Sequence, residues 1–232
     1  MKVCVIPARG GSKRIPRKNI RAFHGVPMIA RSIATALASS NVDRVIVSTD
    51  DEQIAEVARA AGAEVPFMRP DELSDDMTGT LPVLVDALER IEAESAEQVD
   101  TLLCLYSTAP FARPEDLDRA WDQLVDTGAD YVFAGVEFAY PIQRALRKTG
   151  DRVELFYPEH SGTRSQDLEP AYHDAGQFYW CRPEALRAGR PLLGPTAAMY
   201  PVDRARAQDI DTPDDWAFAE MLYQLLQQDG EE

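Results

Sequence analysis

Apolar and polar positions alternate along the chain in two patterns. Four short runs are nearly continuously apolar, as in parallel strands buried on both faces of a sheet; they are KVCVIPA, RVIVSTD, TLLCLYSTAP and YVFAGVE. Four further segments repeat their apolar residues with the spacing of a helix; they are PMIARSIATALASS, DEQIAEVARAAGA, TLPVLVDALERIEAES and PEDLDRAWDQLVDTGA. Their order predicts an α/β protein with a mostly parallel sheet and helices on both faces.

The alternation stops at about residue 138 and resumes near residue 175. The stretch 138–175 is polar and rich in turn residues, which favours a projecting arm and is equally compatible with a long surface loop. Regular structure returns with QFYWCRP. A final helix is expected directly after Asp211, because Thr212 can cap it and Pro213 suits its first position. Nothing divides the chain, so we expect residues 1–232 to form a single domain.

The composition limits the possible partners. The 232 residues carry a formal net charge of -15, which disfavours nucleic acid, since a polyanion would be repelled over most of the surface. No run approaches the ~18 apolar residues that span a bilayer, and the first apolar run is too short for a secretory signal. The three cysteines form no C-x-x-C pair, which indicates a reducing compartment. We therefore expect a cytoplasmic protein without nucleic-acid or membrane partners.

One basic segment interrupts this acidic composition. Residues 6–25, IPARGGSKRIPRKNIRAFHG, contain six Lys or Arg and no carboxylate. They begin where the first predicted strand ends, which is where ligands bind in parallel sheets. The spacing fits neither the phosphate loop G-x-x-x-x-G-K-[ST] nor the dinucleotide motif G-x-G-x-x-G. The segment offers a small anion two glycines, which a ligand can approach closely, flanked by Arg9, Lys13 and Lys18. A solvated basic surface is the alternative interpretation.

Two aspartates near the end of the chain could complement this segment. Asp209 and Asp211 are two residues apart in AQDIDTP, so an extended backbone directs both carboxylates to one side. Mg²⁺ usually takes one or two carboxylates together with phosphates and waters. The alternative is that these residues only favour the start of the final helix. A bound triphosphate needs both a basic cradle and a metal clamp, and the sequence offers both.

Several longer motifs carry a family resemblance. IPARGGSKRIPRKNI, VSTDDEQIA, FMRPDELSDD and QDIDTPDDW resemble motifs of the cytidylyltransferases that activate nonulosonic acids, the sialic acid group. The resemblance covers essentially the whole chain. It implies a three-layer nucleotidyltransferase fold, Rossmann-like, with a projecting arm that forms a homodimer. YPIQRAL and RSQDLEPAYHDAGQFYW most resemble the branch that acts on pseudaminic acid, whereas LYSTAP departs from the sialate pattern at Tyr106 and Ser107.

The resemblance also implies roles for individual residues. Arg9, Lys18 and Asp211 match the catalytic residues, and Asp209 and Asp211 match the aspartates that bind Mg²⁺. Asn19 is expected near the ribose and Arg69 near the cytosine. The full set of implied nucleotide-binding residues is Ala8, Arg9, Gly10, Gly11, Ser12, Lys13, Lys18, Asn19, Arg69, Gly79 and Thr80. The implied sugar-binding residues are Tyr106, Arg164, Gln166, Tyr172, His173, Gln177 and Phe178.

The reaction implied by the resemblance is transfer of CMP from CTP to the anomeric hydroxyl of a nonulosonic acid, with release of pyrophosphate. Pseudaminic acid is the expected acceptor. N-acetylneuraminate, legionaminate and KDO remain alternatives, as does a module that binds CTP without turnover. Retention of both aspartates argues against such a module, since binding alone would need only the basic segment.

Overall fold

A six-stranded sheet with helices packed on it forms the centre of the chain. A computed structural model describes residues 1–95 and 97–228. The strands are β1 (Lys2–Pro7), β2 (Ala22–Phe23), β3 (Val26–Pro27), β4 (Arg44–Ser48), β5 (Thr101–Leu105), β6 (Tyr131–Glu137), β7 (Leu146–Thr149), β8 (Arg152–Leu155), β9 (Tyr172–Cys181) and β10 (Ala197–Pro201). The helices are α1 (Met28–Ala38), α2 (Glu52–Ala60), α3 (Thr80–Glu94), α4 (Pro114–Thr127), α5 (Pro183–Arg187) and α6 (Pro213–Gln228).

The sheet is mixed but mostly parallel, as the pattern predicts. Its order is β10-β6-β9-β5-β1-β4, and β1 pairs in parallel with both β4 and β5. Strand β9 runs antiparallel between β5 and β6. The pattern did not predict this direction, because the last five residues of β9 are all buried and resemble those of a parallel strand. The chain enters β9 from the arm rather than from a crossover helix, which permits the antiparallel direction.

Successive residues of the central strands face two different helical layers. In β1, Cys4 and Ile6 belong to the apolar cluster that contains buried residues of α1, α2 and α4. Val3 and Val5 belong to the cluster that contains buried residues of α3 and α5. Both faces of the sheet are therefore covered, which explains why the strand sequences are apolar without alternation.

Helix α6 packs against the basic segment. It starts at Pro213, as predicted, with Thr212 as its cap: the Asp215 backbone N–H donates to Thr212 Oγ1 at 3.2 Å, and Asp215 Oδ2 accepts from the Thr212 N–H at 2.7 Å. The rings of Phe23 and Trp216 meet edge to face at 5.4 Å within a third apolar cluster, which also includes Ile210. This packing brings residues 209–211 beside the loop that follows β1.

The stretch 138–175 contains more regular structure than its sequence predicted. Strands β7 and β8 form an antiparallel hairpin, and β9 already begins at Tyr172. The hairpin turns at Gly150, whose φ of +61° favours glycine. Most of the arm is exposed, including apolar side chains such as Leu146 and Val153. The sequence did not reveal the hairpin because both strands are short and have no buried face.

The three cysteines are free and buried in the core. Burial raises the pKa of the thiols of Cys4, Cys104 and Cys181, so each is protonated and unreactive at neutral pH. Within residues 1–95 and 97–228, no helix combines the length and apolar character that crossing a membrane requires.

Candidate active site

A cleft of about 400 Å³ opens beside the carboxyl ends of β1 and β5. Its lining contains four cationic side chains and two carboxylates. The lining residues are Pro7, Arg9, Ser12, Lys13, Arg14, Lys18, Asn19, Asp76, Tyr106, Ser107, Thr108 and Asp211. The cleft thus brings together much of the basic segment and one of the two candidate metal ligands, although 193 residues separate Lys18 from Asp211.

One side of the cleft is organised around Asp76. The guanidinium of Arg9 donates to Asp76 Oδ1 at 2.6 Å and to the carbonyl oxygen of Asp75 at 2.8 Å. The ammonium of Lys13 donates to the other oxygen of Asp76. Two residues expected to bind the triphosphate therefore converge on one anion, and these contacts lower the pKa of Asp76. No role for Asp76 was predicted from the sequence, although the residue lies within a motif of the family.

The opposite side is organised around Asp211. Arg14 Nη2 donates to Asp211 Oδ2 at 2.8 Å. Lys18 Nζ donates to the Ile210 carbonyl at 2.6 Å and lies 3.3 Å from Asp211 Oδ1. The Asp211 backbone N–H donates to Asp215 Oδ2 at 3.1 Å, which fixes the residue to the start of α6. Lys18 thus contacts the segment that carries the candidate metal ligands.

Asn19 is a buried residue of the basic segment. Its Nδ2 donates to the Arg9 carbonyl at 2.9 Å, and its Oδ1 accepts from the Ser107 hydroxyl at 2.8 Å. Ser12 is also held locally, since its hydroxyl donates to the Ile15 carbonyl at 2.7 Å. The bond between Asn19 and Ser107 fixes the loop to the residues that follow β5. The expected contact between Asn19 and the ribose stays a prediction.

The first residues of the basic segment are held by β4 and the loop after it. Ala8 is buried and donates its backbone N–H to the Ser48 carbonyl at 2.9 Å. The Gly10 N–H donates to Asp50 Oδ1 at 2.8 Å. A Cβ at Gly10 would lie 2.8 Å from Asp51 Oδ2, whereas one at Gly11 would meet nothing within 4 Å. Gly10 is therefore required by close packing against Asp51, a reason that the sequence did not reveal.

Arg69 and the start of α3 lie beyond the lining of the cleft. Arg69 is buried, donates from Nε to Ser48 Oγ at 3.0 Å and also donates to the Ser48 carbonyl. Burial lowers the pKa of its guanidinium. Gly79 precedes the first turn of α3, where Thr80 Oγ1 lies 3.0 Å from the hydroxyl of Tyr106. Through this contact the start of α3 reaches the cleft, while Arg69 supports the end of β4.

A polar network continues from Tyr106 into β9. Burial raises the pKa of Tyr106 to about 12, so its phenol is a neutral hydrogen-bonding group at pH 7. Its ring lies 5.7 Å from that of Tyr179, whose hydroxyl donates to Asp174. Gln177 is buried and donates from Nε2 to the Arg206 carbonyl, and its Oε1 has no partner among the residues that the structure describes. No role for Arg206 in this network was predicted from the sequence.

The expected sugar-binding residues do not all lie together. Tyr106 lines the cleft, whereas Arg164 is in the arm and pairs with Asp167 at 2.7 Å. Gln166 lines a separate arm pocket. Tyr172 and His173 are exposed at the start of β9, and the His173 ring lies 4.7 Å from Phe138.

Phe178 requires a correction. Its side chain has no exposed surface and belongs to the apolar cluster beneath α1, α2 and α4. It lies on β9 between two other buried residues, and its ring neighbours that of Tyr200 at 6.3 Å. Phe178 is therefore a core residue, and it was misassigned because its position in the motif does not reveal which strand residues face the interior.

The donor set at Asp209 and Asp211 fits a hydrated divalent cation. The pKa of Asp209 is raised mainly by loss of hydration, and the negative charge of Asp211 raises it further. A cation would relieve this repulsion. Within the described residues, no group of three or more His, Cys, Asp or Glu side chains is placed to enclose a metal. The protein would then supply two carboxylates and leave other positions to phosphates and water, as Mg²⁺ prefers.

Comparisons with known proteins point to one family. Residues 3–226 match the family model described as Cytidylyltransferase. Pseudaminic acid cytidylyltransferase from Campylobacter jejuni is 42% identical over 224 residues, covering 96% of each chain. CMP-N,N'-diacetyllegionaminic acid synthase from Legionella pneumophila is 34% identical over 236 residues, covering 97% of each. The structure of CMP:2-keto-3-deoxy-manno-octonic acid synthetase complexed with CTP covers 98% of this chain and 99% of its own, with a TM-score of 0.70 and 20% identity, so its likeness concerns the fold.

Proposed function

Because the chain belongs to the cytidylyltransferase family, we propose that it transfers CMP from CTP to the anomeric hydroxyl of pseudaminic acid and releases pyrophosphate. One observation carries this proposal. The cations Arg9, Lys13 and Lys18 and the carboxylate of Asp211 line the same cleft at the end of β1. This arrangement supplies both a cradle for phosphates and one ligand for a metal ion.

The reaction joins the sugar oxygen to the α-phosphorus of CTP. The anomeric O–P bond forms, the bond between the α-phosphorus and the bridging oxygen breaks, and the electron pair leaves with pyrophosphate while the hydroxyl proton is released. Positioning and charge stabilisation account for most catalysis in such transfers, and no protein nucleophile is needed. Arg9 and Lys18 would hold the departing pyrophosphate, with Ser12 and Lys13 beside them in the same loop.

The proposed metal ligands are Asp209 and Asp211. When bound, Mg²⁺ would neutralise charge on the α-phosphate and orient the nucleophile. Lys18 already touches the segment between these aspartates through the Ile210 carbonyl. This contact holds the proposed metal ligands next to a residue that would bind the triphosphate.

The proposed nucleotide contacts extend from the basic loop to the start of α3. Asn19 would lie near the ribose and Arg69 near the cytosine, with Gly79 and Thr80 completing the base site. The buried guanidinium of Arg69 is held by Ser48, so it can act as a fixed donor.

The sugar site would combine this cleft with the arm of a second copy. We propose that Arg164 and Gln166 grip the sugar carboxylate, since an arginine suits a bidentate pair with a carboxylate. In the single chain these residues lie in the exposed arm, away from the lining of the cleft. A homodimer in which the arm reaches the partner's cleft would bring them to Tyr106 and Gln177. Tyr172 and His173 would then contact the sugar substituents.

Buried free thiols favour a reducing compartment, and we propose that the enzyme acts in the cytoplasm. The reaction class is tested by mixing the protein with pseudaminate, Mg²⁺ and CTP, UTP, ATP or GTP in separate reactions and measuring pyrophosphate release. CTP should be strongly preferred, and chelation of Mg²⁺ should stop the reaction. Equal turnover with UTP would refute the proposed cytidylyl transfer.

A further inference from the structure

Asp51 lies between the two halves of the basic segment. On one side it packs against Gly10, where a Cβ would lie only 2.8 Å from its Oδ2. On the other side it accepts hydrogen bonds from Arg17, one from Nη1 to Oδ2 and one from Nη2 to Oδ1 at 3.1 Å. Gly10 follows Arg9 and Arg17 precedes Lys18, so one carboxylate touches the neighbours of both proposed pyrophosphate ligands.

Regular elements fix the position of Asp51 itself. It is the N-cap of α2, and its Oδ1 accepts from the Ile54 N–H at 3.0 Å. Its own N–H donates to Thr49 Oγ1 at 3.1 Å, directly after β4. The Asp51 carboxylate is therefore fixed in position, and contacts with it can hold the basic segment in place.

Arg17 has a backbone conformation that needs such support. Its φ is +57°, in the left-handed region that residues other than Gly, Asn and Asp rarely adopt. Its carbonyl accepts from the N–H groups of Ile20 and Arg21, at 3.0 and 2.9 Å, which forms the tight turn around Lys18. Its guanidinium does not line the cleft but turns to Asp51 and to Gln53, with 2.6 Å between Nη2 and Gln53 Oε1.

We propose that Asp51 is a positioning residue for the triphosphate site, holding Arg9 and Lys18 in place through its contacts with Gly10 and Arg17. This inference rests on the proposed function, in which CTP binds the basic segment. The hydrogen bonds from Arg17 lower the pKa of Asp51, so the carboxylate is ionised at neutral pH. The effect of Asp51 is expected on the affinity for CTP and not on the affinity for the sugar.

The test compares Asp51→Asn, Arg17→Gln and the double variant. Asn caps a helix about as well as Asp, so Asp51→Asn removes the charge while α2 keeps its cap. The Kd for CTP is measured by calorimetry, and the KM for CTP and for pseudaminate is measured by pyrophosphate release. Each single variant should weaken CTP binding by about tenfold or more, since small displacements of positioning groups are costly. The Kd of the double variant for CTP should be no higher than that of the single variant that binds CTP less tightly, because both substitutions remove the same interaction.

Arg44→Gln is the matched control. Arg44 and Glu64 form a similar bidentate pair, with distances of 2.9 and 2.6 Å, at the end of β4 opposite to Asp51. This variant should lower the Tm only slightly, because exposed ion pairs contribute little to stability. It should leave the Kd for CTP within about twofold, because Arg44 is the first residue of β4 and the basic segment contacts the last, Ser48.

The outcomes separate the two proposals. If both single variants change the Kd for CTP no more than Arg44→Gln does, or if the KM for pseudaminate rises in parallel with that for CTP, the positioning role is refuted. Should Asp51→Asn fail to fold, Arg17→Gln decides the question alone. If the wild-type protein does not bind CTP, the proposed function itself fails.

Discussion

Lys18 donates a hydrogen bond to the carbonyl oxygen of Ile210 at 2.6 Å, and the same ammonium group lies 3.3 Å from Asp211 Oδ1. The two segments meet because Phe23 and Trp216 pack together beneath them. The loop after β1 and the start of α6 therefore form one unit. A change on either side should disturb transfer of CMP without unfolding the protein.

Arg9→Ala should lower kcat by about 10²-fold or more, the scale observed when one charge-stabilising donor is removed. The Arg9 guanidinium is held in the cleft by Asp76 and by the Asp75 carbonyl, so it is in place before a phosphate arrives. Pyrophosphate release measures the effect. Arg59→Ala is the control, because Arg59 pairs with Glu52 on the surface of α2. An unchanged kcat for Arg9→Ala would make the basic segment an ordinary solvated surface.

Asp211→Asn should abolish most of the activity while the protein still folds. The substitution removes a negative charge and nearly keeps the shape, and the cap formed by Thr212 and Asp215 remains to start α6. Asp209→Asn should act in the same direction. Asp214→Asn, in the exposed first turn of α6, is the matched control and should retain activity. Activity is titrated against Mg²⁺, and Tm is measured for each variant. Loss of stability with full specific activity would reduce Asp211 to a helix-start residue.

Phe178→Ala should destabilise the fold by about 3–5 kcal/mol, the usual cost of truncating a buried aromatic residue. Phe178 is fully buried, whereas Phe218 on α6 is about half exposed. Phe218→Ala should therefore change the free energy of unfolding by only about 0.5 kcal/mol. Urea denaturation measures both. Equally small changes in the free energy of unfolding for both variants would contradict the core role of Phe178 and make it a candidate ligand contact again.

Val153→Asp should raise the fraction of monomer and lower activity, if the arm contacts a second copy. Val153 lies on the exposed hairpin of β7 and β8, where a charge would oppose burial in an interface. Val125→Asp is the control, since Val125 is exposed on α4 outside the arm. Light scattering at the assay concentration measures the oligomeric state. A fully active monomeric wild-type protein would rule out the shared sugar site.

Local signals in the sequence were sufficient to predict several features of the protein. The start of α6 follows from Thr212 and Pro213, whose capping chemistry depends only on neighbouring residues. The apolar runs identified the central strands, because both faces of the sheet are covered. The motifs identified the cytidylyltransferase family, which the match over residues 3–226 confirms.

Features set by distant contacts were not predictable from the sequence alone. The direction of β9 depends on how the chain leaves the arm, and the burial of Phe178 depends on that strand's place in the sheet. The contact between Asp51 and Gly10 joins two loops that are 41 residues apart, so the sequence around either residue does not predict it. Close approach of a ligand was the reason predicted for Gly10, and the structure adds its packing against Asp51.

The proposed substrate is tested most directly by the ratio of kcat/KM for pseudaminate to that for N-acetylneuraminate, with CTP and Mg²⁺ at saturation. Pseudaminate lacks the free glycerol-like tail and carries extra acylamino and methyl groups. A site with buried polar groups such as Gln177 rejects ligands that leave them unpaired, and discrimination can reach ~10⁴-fold. We expect pseudaminate to be converted to its CMP derivative and N-acetylneuraminate to be turned over poorly or not at all. Comparable kcat/KM values for the two sugars, or a preference for N-acetylneuraminate, would contradict the proposed substrate.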